Sequence, residues 1–290
     1  MNSSPTEAVV VGLDTSENSR VALEWAADEA RLRGAVLRIG HAWSMQAYRL
    51  PEAYKHDMAE DARKAAWAFL ESAADDMRKR HPGLRVELEL IDEAAVEGLL
   101  RMASADASLL VTGRRGLNPF LTFLLGSISS GVAAHTPVPA VLVPIEGAPD
   151  ERGPVVVGVA PGEPEPVEFA FAEAERRGVP LRVVRSWMYP QAFPGHLAVP
   201  PKEEAGRDAQ ETAELEKLLL AARTAHPGVQ VTLQVGAGLA EEAIVKASAD
   251  ACLVVVGAHR RHTQHFSLPI GRVPHRVLHL AHAPVVVVPH

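Results

Sequence analysis

The residues best suited to chemistry lie in one run, Gly113-Arg114-Arg115-Gly116-Leu117-Asn118-Pro119-Phe120-Leu121-Thr122-Phe123-Leu124-Leu125-Gly126-Ser127. Glycine at 113 and 116 lets backbone N–H groups approach a ligand with no Cβ in the way. Gly126-Ser127 reads as the start of a helix, where unpaired N–H groups and the positive end of the helix dipole favour a phosphate. Ser127 and Ser129 add hydroxyl donors, and Arg114 and Arg115 can supply positive charge. Phe120, Leu121, Phe123, Leu124 and Leu125 read as an apolar anchor for the loop. The chemistry of this pattern is the binding of a small anion.

The flanking sequence supplies elements to hold that loop. Ala8–Leu13 is an apolar run suited to a buried strand, and the polar turn 14–18 follows it. Ser16 or Asn18 can cap the next helix, whose apolar face is Val21, Leu23, Trp25, Ala26, Ala30 and Leu32 and which Gly34 ends. Strands are expected at Val36–Ala42, Val86–Ile91, Ala107–Thr112 and Pro139–Val143, with helices at Glu52–Lys79, Ala94–Ser104 and Ser127–His135. Strands separated by helices pair in parallel through right-handed crossovers, giving a doubly wound five-stranded α/β sheet. Ligands of such sheets sit beyond the carboxyl ends of the strands, where the glycine run begins.

The pattern then repeats. Val9–Leu13 matches Val155–Val159, Trp43 matches Trp187, His81-Pro82-Gly83 matches His226-Pro227-Gly228, and Val141–Pro144 matches Val286–Pro289, each about 145 residues on. Two domains are expected, 1–146 and 154–290, joined by a linker at 147–153 within the Pro- and Gly-containing segment Glu146–Gly153. Prolines at 190, 194, 200 and 201 mark Met188–Pro201 as a surface loop. The apolar fifth strands, Val141–Val143 and Val285–Val288, would be exposed edges if unpaired. The second half departs at the chemical positions. Ala160 replaces Asp14, Arg260 replaces Gly116, Arg272 replaces Ser127, and the loop is one residue longer. Gly271 and the arginines nearby leave room for a different anion or for a purely structural half.

Composition excludes several classes. A net charge of −7 argues against a general nucleic-acid or anionic-membrane binder. No apolar stretch is long enough to span a membrane, and the polar start lacks the order of a signal peptide, so a cytoplasmic protein is expected. The single Cys252 lies in a valine run and reads as a buried structural thiol. Seven of the thirteen histidines follow residue 258, and His275, His279 and His282 are spaced to share a helix face. No Cys or carboxylate joins them locally, and solvated or interface histidines are preferred to a metal site. Gly236-Ala237-Gly238 lacks a third glycine and precedes Glu241 and Glu242, so it reads as a turn, and no phosphate-loop lysine or hydrolytic triad is visible.

A glycine, two residues, a second glycine, nine residues and then Gly-Ser resembles the ATP-binding pattern of the universal stress protein family. Gly113, Gly116, Gly126 and Ser127 meet it, and Val9–Ser16 and His135–Val143 are similar to the family on either side. The resemblance covers both halves and implies a Rossmann-like fold akin to adenine-nucleotide alpha-hydrolases, in the tandem arrangement of actinobacterial members. It implies that Asp14 faces the ribose or a metal-bridged phosphate; the alternative is a turn carboxylate that helps cap the next helix. It implies that backbone groups of Ala42 read the adenine edge and that Gly12 keeps room near the nucleotide, although a strand-end glycine is also ordinary. The cofactors implied are ATP with Mg²⁺, the partners an unknown downstream protein and a homodimer of tandem chains, and the function a nucleotide-dependent stress or regulatory switch. A slow ATPase or phosphotransfer enzyme and a nucleotide-independent scaffold are the alternatives. With no general base in view, no residue is assigned a catalytic role.

Overall fold

Valine runs, alternating with helices, build two units that cluster as Met1–Glu146 and Gly147–His290. The computed structural model describes residues 7–43, 52–114, 126–145, 152–188, 201–258 and 270–290, with backbone alone at 52–58, 105 and 201–202. The linker residues 147–151, the loop 189–200, the anchor 120–125 and the second-half loop 259–269 lie outside the described residues.

In the first unit the elements run β1 (Ala8–Gly12), α1 (Glu17–Arg33), β2 (Val36–Ala42), α2 (Glu52–Arg80), β3 (Val86–Ile91), α3 (Ala95–Asp106), β4 (Ala107–Arg114), α4 (Ser127–His135) and β5 (Ala140–Pro144). The strands order as β3-β2-β1-β4-β5, and each neighbouring pair is parallel. The β1 residues Ala8–Val11 and the β5 residues Ala140–Leu142 have no exposed surface, as strands covered on both faces require. From β1 the chain winds outward through β2 to β3, then returns by α3 to the other side of β1. With right-handed crossovers this reversal puts α1 and α2 on one face and α3 and α4 on the other. The β1/β4 boundary is thus the switch point, where the loops after both strands leave an open crevice.

Ser16, of the two residues able to cap α1, takes the role: its side chain accepts from the Ser19 amide at 3.3 Å. Such a cap is worth about 1 kcal/mol. Gly34 ends the helix in the left-handed region, φ 64°, with its N–H turned back to the last turn. The buried stripe of α1 is Ala22, Leu23, Ala26, Ala27 and Ala30, while Leu32 faces outward. Steps of three and four from Ala22 and Leu23 reach Ala26, Ala27 and Ala30, and Leu32 falls off that line. One boundary differs in a way that matters to the site. The expected fourth strand ends at Thr112, but β4 continues through Gly113 and Arg114, paired with Val143 and Pro144 of β5.

The second unit repeats the scheme with β6 (Val155–Gly158), α5 (Pro164–Arg177), β7 (Leu181–Trp187), α6 (Pro201–Ala225), β8 (Val231–Ala237), α7 (Ala240–Ala247), β9 (Leu253–Ala258), α8 (Arg272–Leu280) and β10 (Val285–Pro289). Its strands order as β8-β7-β6-β9-β10, all parallel, with the switch point at β6/β9. Cys252 is buried just before β9 and is not in a disulfide. The Gly236-Ala237-Gly238 segment is not the turn expected from sequence: Gly236 and Ala237 are the last residues of β8, paired with Ser186 and Trp187 of β7, and only Gly238, at φ 141°, leaves the strand. No helix among the described residues is long and apolar enough to cross a membrane.

Candidate functional site

A cleft of about 220 Å³ opens at the β1/β4 switch point. Its polarity is graded. At one end Gly40, Ala42, Ile91, Ala95 and Leu99 form an apolar wall; at the other lie Asp14, Ser16, Asn18, Ser19, Thr112 and the start of α4. A flat apolar ring suits the first end and a charged, hydrogen-bonding group the second.

The polar end is built from the β1 turn and the start of α4. The Asp14 carboxylate accepts from the Ser16 amide at 2.9 Å and from the Ser16 hydroxyl. Burial pushes its pKa up, but the Ser16 hydroxyl and amide, the Ser19 hydroxyl and the charge of nearby His41 outweigh that, so it titrates below the usual aspartate range. His41 is held against the Leu13 carbonyl at 2.8 Å. The carboxylate therefore organises the turn before α1 and also forms part of the cleft wall, so both readings of Asp14 have a structural basis. Across the cleft α4 begins at Ser127 after Gly126, which has no side chain to cap it. Amides in a first turn have no partner within their own helix, and the first-turn residues Ser127, Ile128 and Ser129 line the cleft.

The glycines have different reasons for being glycine. A Cβ at Gly113 would lie 2.3 Å from the Asn18 carbonyl oxygen, so this residue lets β4 pass the start of α1. A Cβ at Gly12 would meet Leu99 at 2.9 Å, and one at Gly40 would meet Met102 Sδ at 2.7 Å. At Gly126 the nearest atom is 3.8 Å away, in ordinary contact. Packing within the described protein does not require glycine there, and the missing Cβ leaves space on the cleft side of the helix start.

Of the residues expected from sequence, the structure brings Gly12, Asp14, Ala42, Gly113, Gly126, Ser127 and Ser129 together around this cleft. Ser129 is committed internally: its hydroxyl donates to the Gly113 carbonyl at 2.9 Å, tying α4 to the end of β4. Arg114 is not in the wall. It is buried, and burial draws its pKa down to about 10. Arg115 and Gly116 lie outside the described residues.

Thr112 was missed from sequence. It is 3% exposed and lines the cleft, and its Oγ1 is buried with no hydrogen-bond partner. An unmatched buried hydroxyl costs about 1–3 kcal/mol, so a ligand group that satisfied it would recover that energy. The available signal was a polar residue at the carboxyl end of an otherwise buried strand, where the second half has Val256.

The corresponding cleft of the second unit, at β6/β9, has a volume of about 410 Å³ and a different chemistry. Val159, Ala160, Val184, Ile244 and Val256 give its wall apolar patches, with Glu163 placed in it near Gly257. Gly271 caps α8 at φ 83°, and Arg272, which follows it, has its Nε 3.5 Å from Glu241. The wall thus holds a carboxylate, and the described arginine at its rim faces a carboxylate of its own. Arg260 and Arg261 lie outside the described residues.

The family model described as the universal stress protein family matches residues 5–144 and again 152–289. A universal stress protein of Mycolicibacterium smegmatis is 32% identical, covering 99% of this chain and 99% of its own. One from Mycobacterium tuberculosis is 30% identical, covering 96% of this chain and 94% of its own. Among solved structures, a universal stress protein from Archaeoglobus fulgidus aligns with a TM-score of 0.72 at 18% identity, covering 98% and 99% of the two chains, a likeness of fold.

Proposed function

The chain belongs to the universal stress protein family, and from that premise we propose that its first unit is an ATP-binding regulatory site and its second a domain that has lost that ligand. The observation that carries the reading is the unmatched Thr112 hydroxyl, set in a cleft whose other end is apolar and whose helix start is uncapped. In this reading the adenine lies against Ala42, Ile91 and Leu99. The phosphates lie at Gly126-Ser127, on the α4 amides and in the space a Cβ at Gly126 would fill. Asp14, ionised throughout the neutral range, suits a ribose hydroxyl or a Mg²⁺ ion bridging to phosphate. Gly116 and Arg115 complete the loop in the sequence pattern, while Arg114 is buried at the end of β4.

Binding rather than turnover is favoured by the same carboxylate. A general base works best with a pKa near the operating pH, and Asp14 is held below the usual range. No other ionisable side chain is among the described residues lining this cleft. In the second unit Ala160, Val256 and Arg272 replace the acid, the hydroxyl and the helix-start serine, and Glu163 would repel a polyphosphate.

Isothermal titration with MgATP tests the reading in wild type and in Gly116→Glu, which adds bulk and like charge to the phosphate loop. Binding by wild type and its loss in a folded variant are expected. Equal affinity in the two proteins would overturn the site assignment.

A further inference from the structure

Two histidines of the second unit stand in an arrangement that the nucleotide reading leaves unused. His275 and His279 are one turn apart on α8, both half-buried, with their Nε2 atoms 3.4 Å from one another. Their ring centroids are 4.5 Å apart, so the two rings converge at their Nε2 edges. A long N–H···N hydrogen bond is one account of this separation when one of the two rings is the donor. A shared ion explains it well. With zinc–nitrogen bonds of about 2.0–2.1 Å, two ligands of a tetrahedral ion lie about 3.3–3.4 Å apart.

We infer that His275 and His279 form a two-imidazole site for a borderline divalent transition-metal ion, zinc being the ion whose geometry the Nε2 separation fits. His282 does not join the pair. Its Nδ1 lies 3.5 Å from Ser248 Oγ, and its amide donates to that oxygen at 3.0 Å. Among the described residues no group of three or more His, Cys, Asp or Glu side chains gathers to hold a metal. With two protein ligands assigned, the ion exchanges more readily than one held in a closed four-ligand structural site. The chelate bridges successive turns of α8, the helix whose first turn, Arg272 to Pro274, lines the second-unit cleft. Metal occupancy stiffens that wall.

The test uses the full chain, titrated with Zn²⁺ in competition with a chromophoric chelator, as wild type and as His275→Gln, His279→Gln and His282→Gln. One equivalent of zinc is expected to weaken in each of the first two variants and to persist in the third. The loss should be at least the roughly 10- to 100-fold caused by removing a residue that merely supports a ligand. A readout independent of the variants is the imidazole ¹⁵N spectrum of wild type, in which the Nε2 signals of His275 and His279 should move together on zinc addition. Unchanged affinity in both variants, a loss confined to His282→Gln, or His275 and His279 signals unmoved at saturating zinc would each overturn the inference.

Discussion

Replacing Thr112 by valine should make the first unit more stable and its ligand binding weaker. The hydroxyl is buried without a partner, and valine preserves the side-chain shape, as Val256 does at the matching place in the second unit. Removing an unmatched buried hydroxyl recovers about 1 kcal/mol or more of desolvation. For a domain of this size that raises the unfolding midpoint by roughly 4 °C. If the same hydroxyl meets the nucleotide, its loss removes a hydrogen bond worth about 1 kcal/mol, a drop in affinity of roughly fivefold. Native-state hydrogen exchange of the β1 and β4 amides measures the first effect, isolated from the second unit, and MgATP titration measures the second. Thr112→Ser keeps the hydroxyl and should retain affinity. A destabilised Thr112→Val protein would mean that the hydroxyl is already satisfied. Undiminished affinity would mean that it does not touch the ligand.

Gly113 in β4 and Gly126 at the start of α4 should behave oppositely. Gly113→Ala forces a Cβ against the Asn18 carbonyl and should cost about 1–3 kcal/mol by overpacking, whereas Gly126→Ala should leave stability nearly unchanged and weaken MgATP binding, as denaturation and calorimetry would report. In the second unit, Glu211 is buried and paired with Arg185 at 2.8 Å; burial raises its pKa, but the Arg185 and Arg207 guanidiniums draw it below its ordinary value near 4.5. Its ionised form therefore stabilises the fold fully above that value, and the contribution is lost as pH falls through the depressed one, so Glu211→Gln should destabilise at pH 7 and show a shallower acid unfolding curve by circular dichroism. ATP turnover by purified protein should lie well below about 1 s⁻¹, the low end for ordinary enzymes, in a phosphate-release assay.

The duplication and the parallel α/β scheme were legible because valine runs and helix-ending glycines recur in the same order in both halves. Ser16 and Gly34 set the ends of α1 through local hydrogen bonds and backbone conformation, which sequence encodes directly. What sequence hid was tertiary. Gly113 read as a residue after β4 that lets a ligand approach; it lines the cleft, and it also sits in β4, paired with Val143, where Asn18 leaves no room for a side chain. Arg114 looked available as a charge and is instead buried. Ser129 spends its hydroxyl on the Gly113 carbonyl. Thr112 and Glu163 gain meaning only from which face of a strand or helix start they occupy beside a crevice, and that depends on packing between segments far apart in sequence. The histidine pair shows the same limit: spacing placed His275, His279 and His282 together, while geometry keeps two and turns the third toward Ser248.

The two halves are proposed to differ in one respect, that the first holds ATP and the second does not. Titration of the full chain with MgATP, read as stoichiometry by calorimetry and by native mass spectrometry, tests it most directly. One ATP per chain is expected, with binding abolished by Gly116→Glu in the first half and unaffected by Arg272→Ser in the second. Two equivalent sites, no binding at all, or a single site that survives Gly116→Glu would contradict it.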